Sequence, residues 1–187
     1  MSENKKYGYT GKGLRVDLTT GKITVEPTFP RFDGYIGELA HKLKFAGWDF
    51  VIIEGEAKSP VYLYIHNEKV EIRDASAAWG QGTRRSAEVL AKETTPEASF
   101  GVIGQAGENL VPMSNMMVDK SHSAGGLGSV MGKKHLKGIV VYGNQAIHIH
   151  ADPKEWEELI DSHRKILGAH THSIVSRKPH PMFEYHT

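Results

Sequence analysis

Cysteine is absent from all 187 residues. That absence excludes disulfides, thiolate nucleophiles, thiolate zinc sites and any iron–sulfur cluster ligated by this chain's own cysteines. Redox chemistry needing a protein-bound cluster must therefore draw on another polypeptide. Long apolar runs are missing too: none approaches the roughly 18 residues of a membrane span. The opening MSENKKYGYTGKG has no apolar core of the kind a secretory signal carries, so a cytoplasmic protein away from membranes is expected. Charge of one sign is lacking, since 23 Lys and Arg against 22 Asp and Glu leave +1. Without a global basic field, nothing recommends nucleic acid as a partner. G-x-S-x-G and H-E-x-x-H do not occur, and no carboxylate pair argues for a hydrolase.

What is present is the composition of a folded soluble protein, 39% hydrophobic and 24% charged. The length suits one domain, or one domain with an appendage. In GLRVDLTTGKITVEP, Leu14, Val16 and Leu18 alternate with polar residues, as do Ile23 and Val25, predicting a hairpin with its turn at Thr19–Lys22. PTFPRFDGYIG reads as a connector, ELAHKLKFAG as a short helix capped by Gly47, and WDFVIIEGEA as a buried strand. SPVYLYIHNEKVEIRDA predicts a second hairpin about Asn67 and Glu68. There Leu63 and Ile65 share one face, and Tyr62 and Tyr64 pack under another element on the other.

Thr83 is the expected N-cap of a helix over RRSAEVLAKET, stopped by Pro96. ASFGVIG is a strand running into a turn at GQAGEN, and residues 110–118 read as extended. HLKGIVVYG is a further strand. Asp152 and Pro153 open a helix over DPKEWEELIDSHRKILG, with Trp156, Leu159, Ile160, His163, Ile166 and Leu167 at helical spacing. Strands in hairpins with few helices between them predict an α+β fold of mostly antiparallel sheets.

The densest motif is SHSAGGLGSVMGKK, residues 121–134. It fails the Rossmann fingerprint, because the third glycine would fall at Met131, and fails the Walker A pattern, because no Ser or Thr follows Lys133 and Lys134. Generic physics remains: glycines let backbone N–H groups approach an anion, and a helix starting near Leu127 adds its N-terminal dipole. The alternative is a tight turn packed on a sheet. His148 and His150 share one strand face near Asp152, a feasible metal pair without a third ligand. His170, His172, His180 and His186 fall in an aperiodic tail and read as solvated or interfacial.

The longer strings carry a resemblance. GYTGKGLRVDLTTGKITVEP, LKFAGWDFVIIEGEAKSPVYLYIHNEKVEIRDASAAWGQGT, IGQAGENLV and GGLGSVMGKKHLKGIVVYG closely resemble the N-terminal domain of the aldehyde ferredoxin oxidoreductase family, colinearly over most of residues 7–187. The resemblance implies two intertwined, related halves forming a base for a tungsten bis-pterin cofactor. Residues 1–150 would make this domain, shortened near 27–38, and 151–187 a C-terminal helix and exit tail. It further implies that a pterin pyrophosphate meets Lys120, Ser121, His122, Ser123, Ala124, Gly125, Gly126 and Gly128.

This chain departs from the family in two places. Ser121, His122 and Ala124 stand where many members carry an arginine-bearing loop, and only TFPRFDGYIG stands where the family has a long segment with further pterin contacts. The cluster cysteines and the residues near the metal belong to the family's later domains. The resemblance therefore implies a non-catalytic base module working with a second subunit that holds the iron–sulfur cluster and active site, with ferredoxin an indirect partner. The alternative is a stand-alone remnant that binds a pterin or phosphate ligand, or only forms a homo-oligomer.

Overall fold

The computed structural model describes residues 9–28, 38–119, 126–146 and 152–169. The chain divides into two units, Met1–Ile147 and His148–Thr187. In the first, β1 (Lys12–Asp17) and β2 (Lys22–Pro27) form the expected hairpin. Gly21 holds φ +74° at its turn, a conformation glycine adopts without steric cost. The Asp17 carboxylate fixes the same turn by accepting the Thr19 N–H at 2.9 Å and the Thr20 hydroxyl at 2.7 Å. After α1 (Glu38–Phe45), β3 (Val51–Glu54) lies parallel to β1, giving a sheet of order β2-β1-β3.

The second sheet repeats that plan and extends it. β4 (Val61–His66) and β5 (Lys69–Asp74) form a hairpin, and β8 (Leu136–Tyr142) returns parallel to β4. β6 (Ser99–Ile103) and β7 (Met116–Val118) complete the order β5-β4-β8-β6-β7. Four of the six pairings are antiparallel and two are parallel, so the α+β, mostly antiparallel expectation holds.

Strand alternation builds two cores. Leu63, Ile65, Ile103 and Val141 join Leu14 and Val16 of the smaller sheet in one cluster. Tyr62, Tyr64, Phe100, Val102 and Val140 face the other way, around Leu90 of α2 (Thr83–Glu93). Both tyrosines are buried in packing, as expected.

Three local expectations are corrected. Thr83 lies inside α2, and Gly82 occupies the N-cap with extended backbone and no side-chain cap. The Gly82 carbonyl accepts from both the Ser86 N–H and the Ser86 hydroxyl at 2.9 Å, so the helical bonding starts there. GQAGEN is not a plain turn but holds a short helix, α3 (Gln105–Glu108). Residues 110–118 are extended only at β7, because bonds from Val111 N to Ala106 O and from Ser114 N to Val111 O curl the preceding stretch.

In the second unit, α5 (Pro153–Ala169) is capped by the Asp152 carboxylate, which accepts from the N–H groups of Lys154 and Glu155. Its apolar row is open to solvent at Trp156, Leu159 and Ile166. No helix among the described residues is long and apolar enough to cross a membrane.

Candidate functional site

The two glycine motifs meet. α4 (Gly128–Lys133) starts inside the glycine run, with Leu127 as its N-cap. A methyl group added to Gly132 would strike the Gly107 carbonyl of α3, and one added to Gly107 would lie 2.9 Å from the Gly128 carbonyl. A methyl on Gly128 would lie 2.6 Å from the Ser114 hydroxyl oxygen. Glycine at these positions lets α3 and α4 touch backbone to backbone, so GQAGEN and GGLGSVMG form one platform.

The residues flanking the candidate loop are held by β6 and by the stretch just before β7. At the entry, Asp119 adopts φ +51°, and its carboxylate accepts the Phe100 N–H at 2.6 Å and the Ser99 hydroxyl at 2.7 Å. At the exit, Gly126 holds φ +58° with open space where a side chain would go, and its N–H donates to Asn115 Oδ1 at 2.9 Å. The Gly128 N–H donates to the Ser114 carbonyl at 3.1 Å. Asn115 precedes β7 and Asp119 follows it, so the loop leaves and rejoins the fold at the two ends of one three-residue strand.

Of the eight sequence-predicted positions, Lys120, Ser121, His122, Ser123, Ala124 and Gly125 lie outside the described residues. Gly126 and Gly128 are brought together, but their amide donors are spent on Asn115 and Ser114. Both hold the backbone on the exit side of the loop. His148 and His150 also lie outside the described residues, as do the four tail histidines. Among the described residues, no group of three or more His, Cys, Asp or Glu is placed to hold a metal.

Sequence reasoning missed the charge pair that braces this platform. The Lys137 ammonium on β8, 0% exposed, forms an ion pair with Glu108 of α3, 6% exposed. It also donates to the Gln81 carbonyl at 3.0 Å and stands 6.0 Å from the Trp79 ring centroid. Glu108 accepts the Gly80 N–H at 2.9 Å, and Gln105 Nε2 donates to the Gly80 carbonyl at 2.7 Å. α3 thus clamps residues 79–82 on one side and backs α4 on the other. Burial pushes the Lys137 pKa down, and the Glu108 hydrogen bond and charge oppose that push without cancelling it. The visible signal was a lysine inside an otherwise apolar strand, where an unpaired charge would be too costly to keep.

An open groove runs along the outer side of α4, lined by Thr19, Gly55, Glu56, Ser129, Val130, Lys133 and Lys134. Its lysines are engaged: Lys133 pairs with Glu56 at 3.4 Å and Lys134 donates to the Gly55 carbonyl at 2.9 Å. That arrangement does not offer a free pair of cations to an anion.

Residues 31–143 match the family described as "Aldehyde ferredoxin oxidoreductase, N-terminal domain". The chain belongs to this aldehyde ferredoxin oxidoreductase family. Its similarity to the tungsten-containing aldehyde ferredoxin oxidoreductase of Pyrococcus abyssi is 41% identity over 167 residues, covering 84% of this chain and 27% of that protein. The aliphatic sulfonate oxidoreductase, WOR-like subunit, of Pyrococcus furiosus is 39% identical, covering 66% of this chain and 23% of that protein. A solved structure of the active site complex BamBC of benzoyl coenzyme A reductase, in complex with 1,5-dienoyl-CoA, superposes with a TM-score of 0.78 at 30% identity. That match covers 88% of this chain and 35% of the other. This aldehyde ferredoxin oxidoreductase domain thus spans about a quarter of the curated relatives it matches, and the platform and loop anchors lie inside the matched region, as does Lys137.

Proposed function

We propose that this chain is the cofactor-supporting base of a tungsten-containing oxidoreductase of the aldehyde ferredoxin oxidoreductase type, and is not catalytic alone. The observation that carries the reading is the pair of anchors flanking 120–125: Asp119 is bonded to Ser99 and Phe100 of β6, and Gly126 to Asn115, all within the family-matched region. Residues 120–125 would hold a pterin pyrophosphate, with Lys120 and His122 supplying charge in place of the arginine common in the family. The described geometry suits that role, since the glycine exit at Gly126 leaves room for close approach and the amides of Gly126 and Gly128 hold the backbone in place. When bound, the tungsten cofactor would supply two-electron oxidation chemistry. This chain's own residues would bind and orient it.

Relatives sharing this domain are named as aldehyde ferredoxin and aliphatic sulfonate oxidoreductases, and a structural neighbour as a benzoyl coenzyme A reductase complex. Substrate choice is accordingly assigned to a second subunit that also carries the cluster and passes electrons to ferredoxin. The test is to purify the chain from its native host and measure tungsten, pterin and companion subunits together. Stoichiometric tungsten and pterin with a larger companion is the expected result; absence of all three would refute the base-module reading.

A further inference from the structure

The first sheet stops where the second continues. In each, a strand returns parallel to the first strand of a hairpin after a short helix: β3 beside β1 after α1, and β8 beside β4 after α4. The far side of β8 is met by antiparallel β6, with Gly101 opposite Ile139, and β7 lies beyond. Among the described residues, β3 has no such neighbour. The N–H groups of Leu14 and Leu18 donate to the carbonyls of Phe50 and Glu54, at 3.0 Å each. Alternation along the ladder therefore points Phe50, Ile52 and Glu54 at β1, and turns the N–H and C=O groups of Val51 and Ile53 outward.

Edge strands ordinarily carry charge, proline or a very short length, each of which discourages pairing. β5 carries Lys69, Glu71 and Arg73, β2 carries Lys22, Glu26 and Pro27, and β7 is three residues long. β3 reads VIIE, and its one charge, Glu54, is paired back to Arg15 of β1. Val51 and Ile53 pack against the core cluster that holds Leu14 and Val16, so Ile52 lies on the opposite face. The β3 edge is thus apolar, with main-chain donors and acceptors aimed away from the sheet and no device against pairing.

We propose that β3 pairs antiparallel with β3 of a second copy of this chain, in a register centred on Ile52. Val51 then stands opposite the partner's Ile53, and Ile53 opposite the partner's Val51, each pair exchanging both main-chain hydrogen bonds. On the core face these side chains form one continuous apolar row. On the other face Ile52 meets the partner's Ile52 and Glu54 meets the partner's Phe50, so no like charges stand directly opposed. The pairing is isologous and uses up the edge, so it closes as a dimer whose joined sheet runs β2-β1-β3-β3-β1-β2. It is independent of the cofactor role proposed above.

The test uses the full chain. Sedimentation should show a monomer–dimer equilibrium, and amide exchange at Val51 and Ile53 should be at least about tenfold slower in concentrated than in dilute solution. The Ile52 amide, bonded toward β1, should exchange slowly in both. Ile52→Glu and Ile52→Lys each bring like charges together at the two-fold axis. Each should weaken the dimer about tenfold or more, while the dilute monomer melts within about 3 °C of the parent. Mixed in equal amounts, the two variants should recover the dimer, because Glu then faces Lys; a misfolded chain is not rescued this way. Val25→Glu on β2 should leave dimerisation unchanged.

A chain that stays monomeric at every concentration overturns the proposal. If that monomer protects the Val51 and Ile53 amides regardless of concentration, the edge is covered from within the chain, by residues 29–37; if it leaves them unprotected, the edge stays open. A dimer indifferent to both Ile52 substitutions, or one weakened by them that equal mixing does not restore, also overturns it, in favour of a different surface.

Discussion

Removing Glu108 should be the most damaging single change in the first unit. Glu108→Ala strips the buried Lys137 ammonium of its counter-charge and leaves it the Gln81 carbonyl and a ring 6.0 Å away. Breaking one side of a buried pair costs about 3–5 kcal/mol. At about 2–4 °C per kcal/mol for a domain of this size, the melting point should fall by roughly 6–20 °C. Removing both charges, with Glu108→Leu and Lys137→Met, leaves no buried ion to desolvate. It should recover most of the loss, short of about 1 kcal/mol for the orphaned Gly80 N–H.

The pH dependence carries a sign. Burial already lowers the Lys137 pKa, and loss of Glu108 lowers it further. Between the folded and unfolded lysine values the unfolded chain binds more protons, so stability rises with pH through that window. Glu108→Ala should therefore regain stability relative to the parent as pH rises toward about 10.4. Urea unfolding followed by tryptophan fluorescence reads both effects, with Trp79 beside the pair. A Glu108→Ala loss under about 1 kcal/mol, or a double variant no better than the single, would refute the buried-pair account.

Three further outcomes are expected. Gly132→Ala drives a methyl into the Gly107 carbonyl and should cost at least about 1–3 kcal/mol in urea, whereas Gly21→Ala, strained in φ but with open space, should cost about 1–2 kcal/mol; equal melting of Gly132→Ala and the parent would remove the glycine seam from the argument. Burial raises the Asp49 carboxyl pKa, but hydrogen bonds from Lys44, Thr28 and the Thr10 N–H outweigh it and hold the value below the ordinary range. That stability is fully present above about pH 3.9 and lost as pH falls through the folded value, so Asp49→Asn should flatten the acid limb of an unfolding-versus-pH curve. Asp119→Ala frees the loop entry and should reduce pterin retention in the purified assembly more than it lowers the melting point; unchanged pterin content would argue against loop anchoring.

Much of the fold was legible because its signals are local. Alternation placed both hairpins, Gly21 and Asn67 marked their turns, and Asp152–Pro153 set the start of α5. Where expectation failed, non-local bonding had decided the outcome. Curling of 110–114 depends on bonds to Ala106 and Val111, and the helix at GQAGEN exists against α4. The candidate loop was legible as a glycine motif, but the reason for its glycines was not. Gly107, Gly128 and Gly132 are read as phosphate contacts or as turns until α3 and α4 are seen to touch.

By itself, the sequence determined that this chain brings no thiolate chemistry, folds as hairpin-rich α+β and carries the family's glycine loop, because composition and short-range periodicity are properties of the chain alone. Tertiary structure decided which faces are shared. It placed β3 beside β1 and β8 beside β4, both in parallel, and paired Lys137 with Glu108 across 29 positions. Those outcomes depend on long-range closure, which no local spacing encodes.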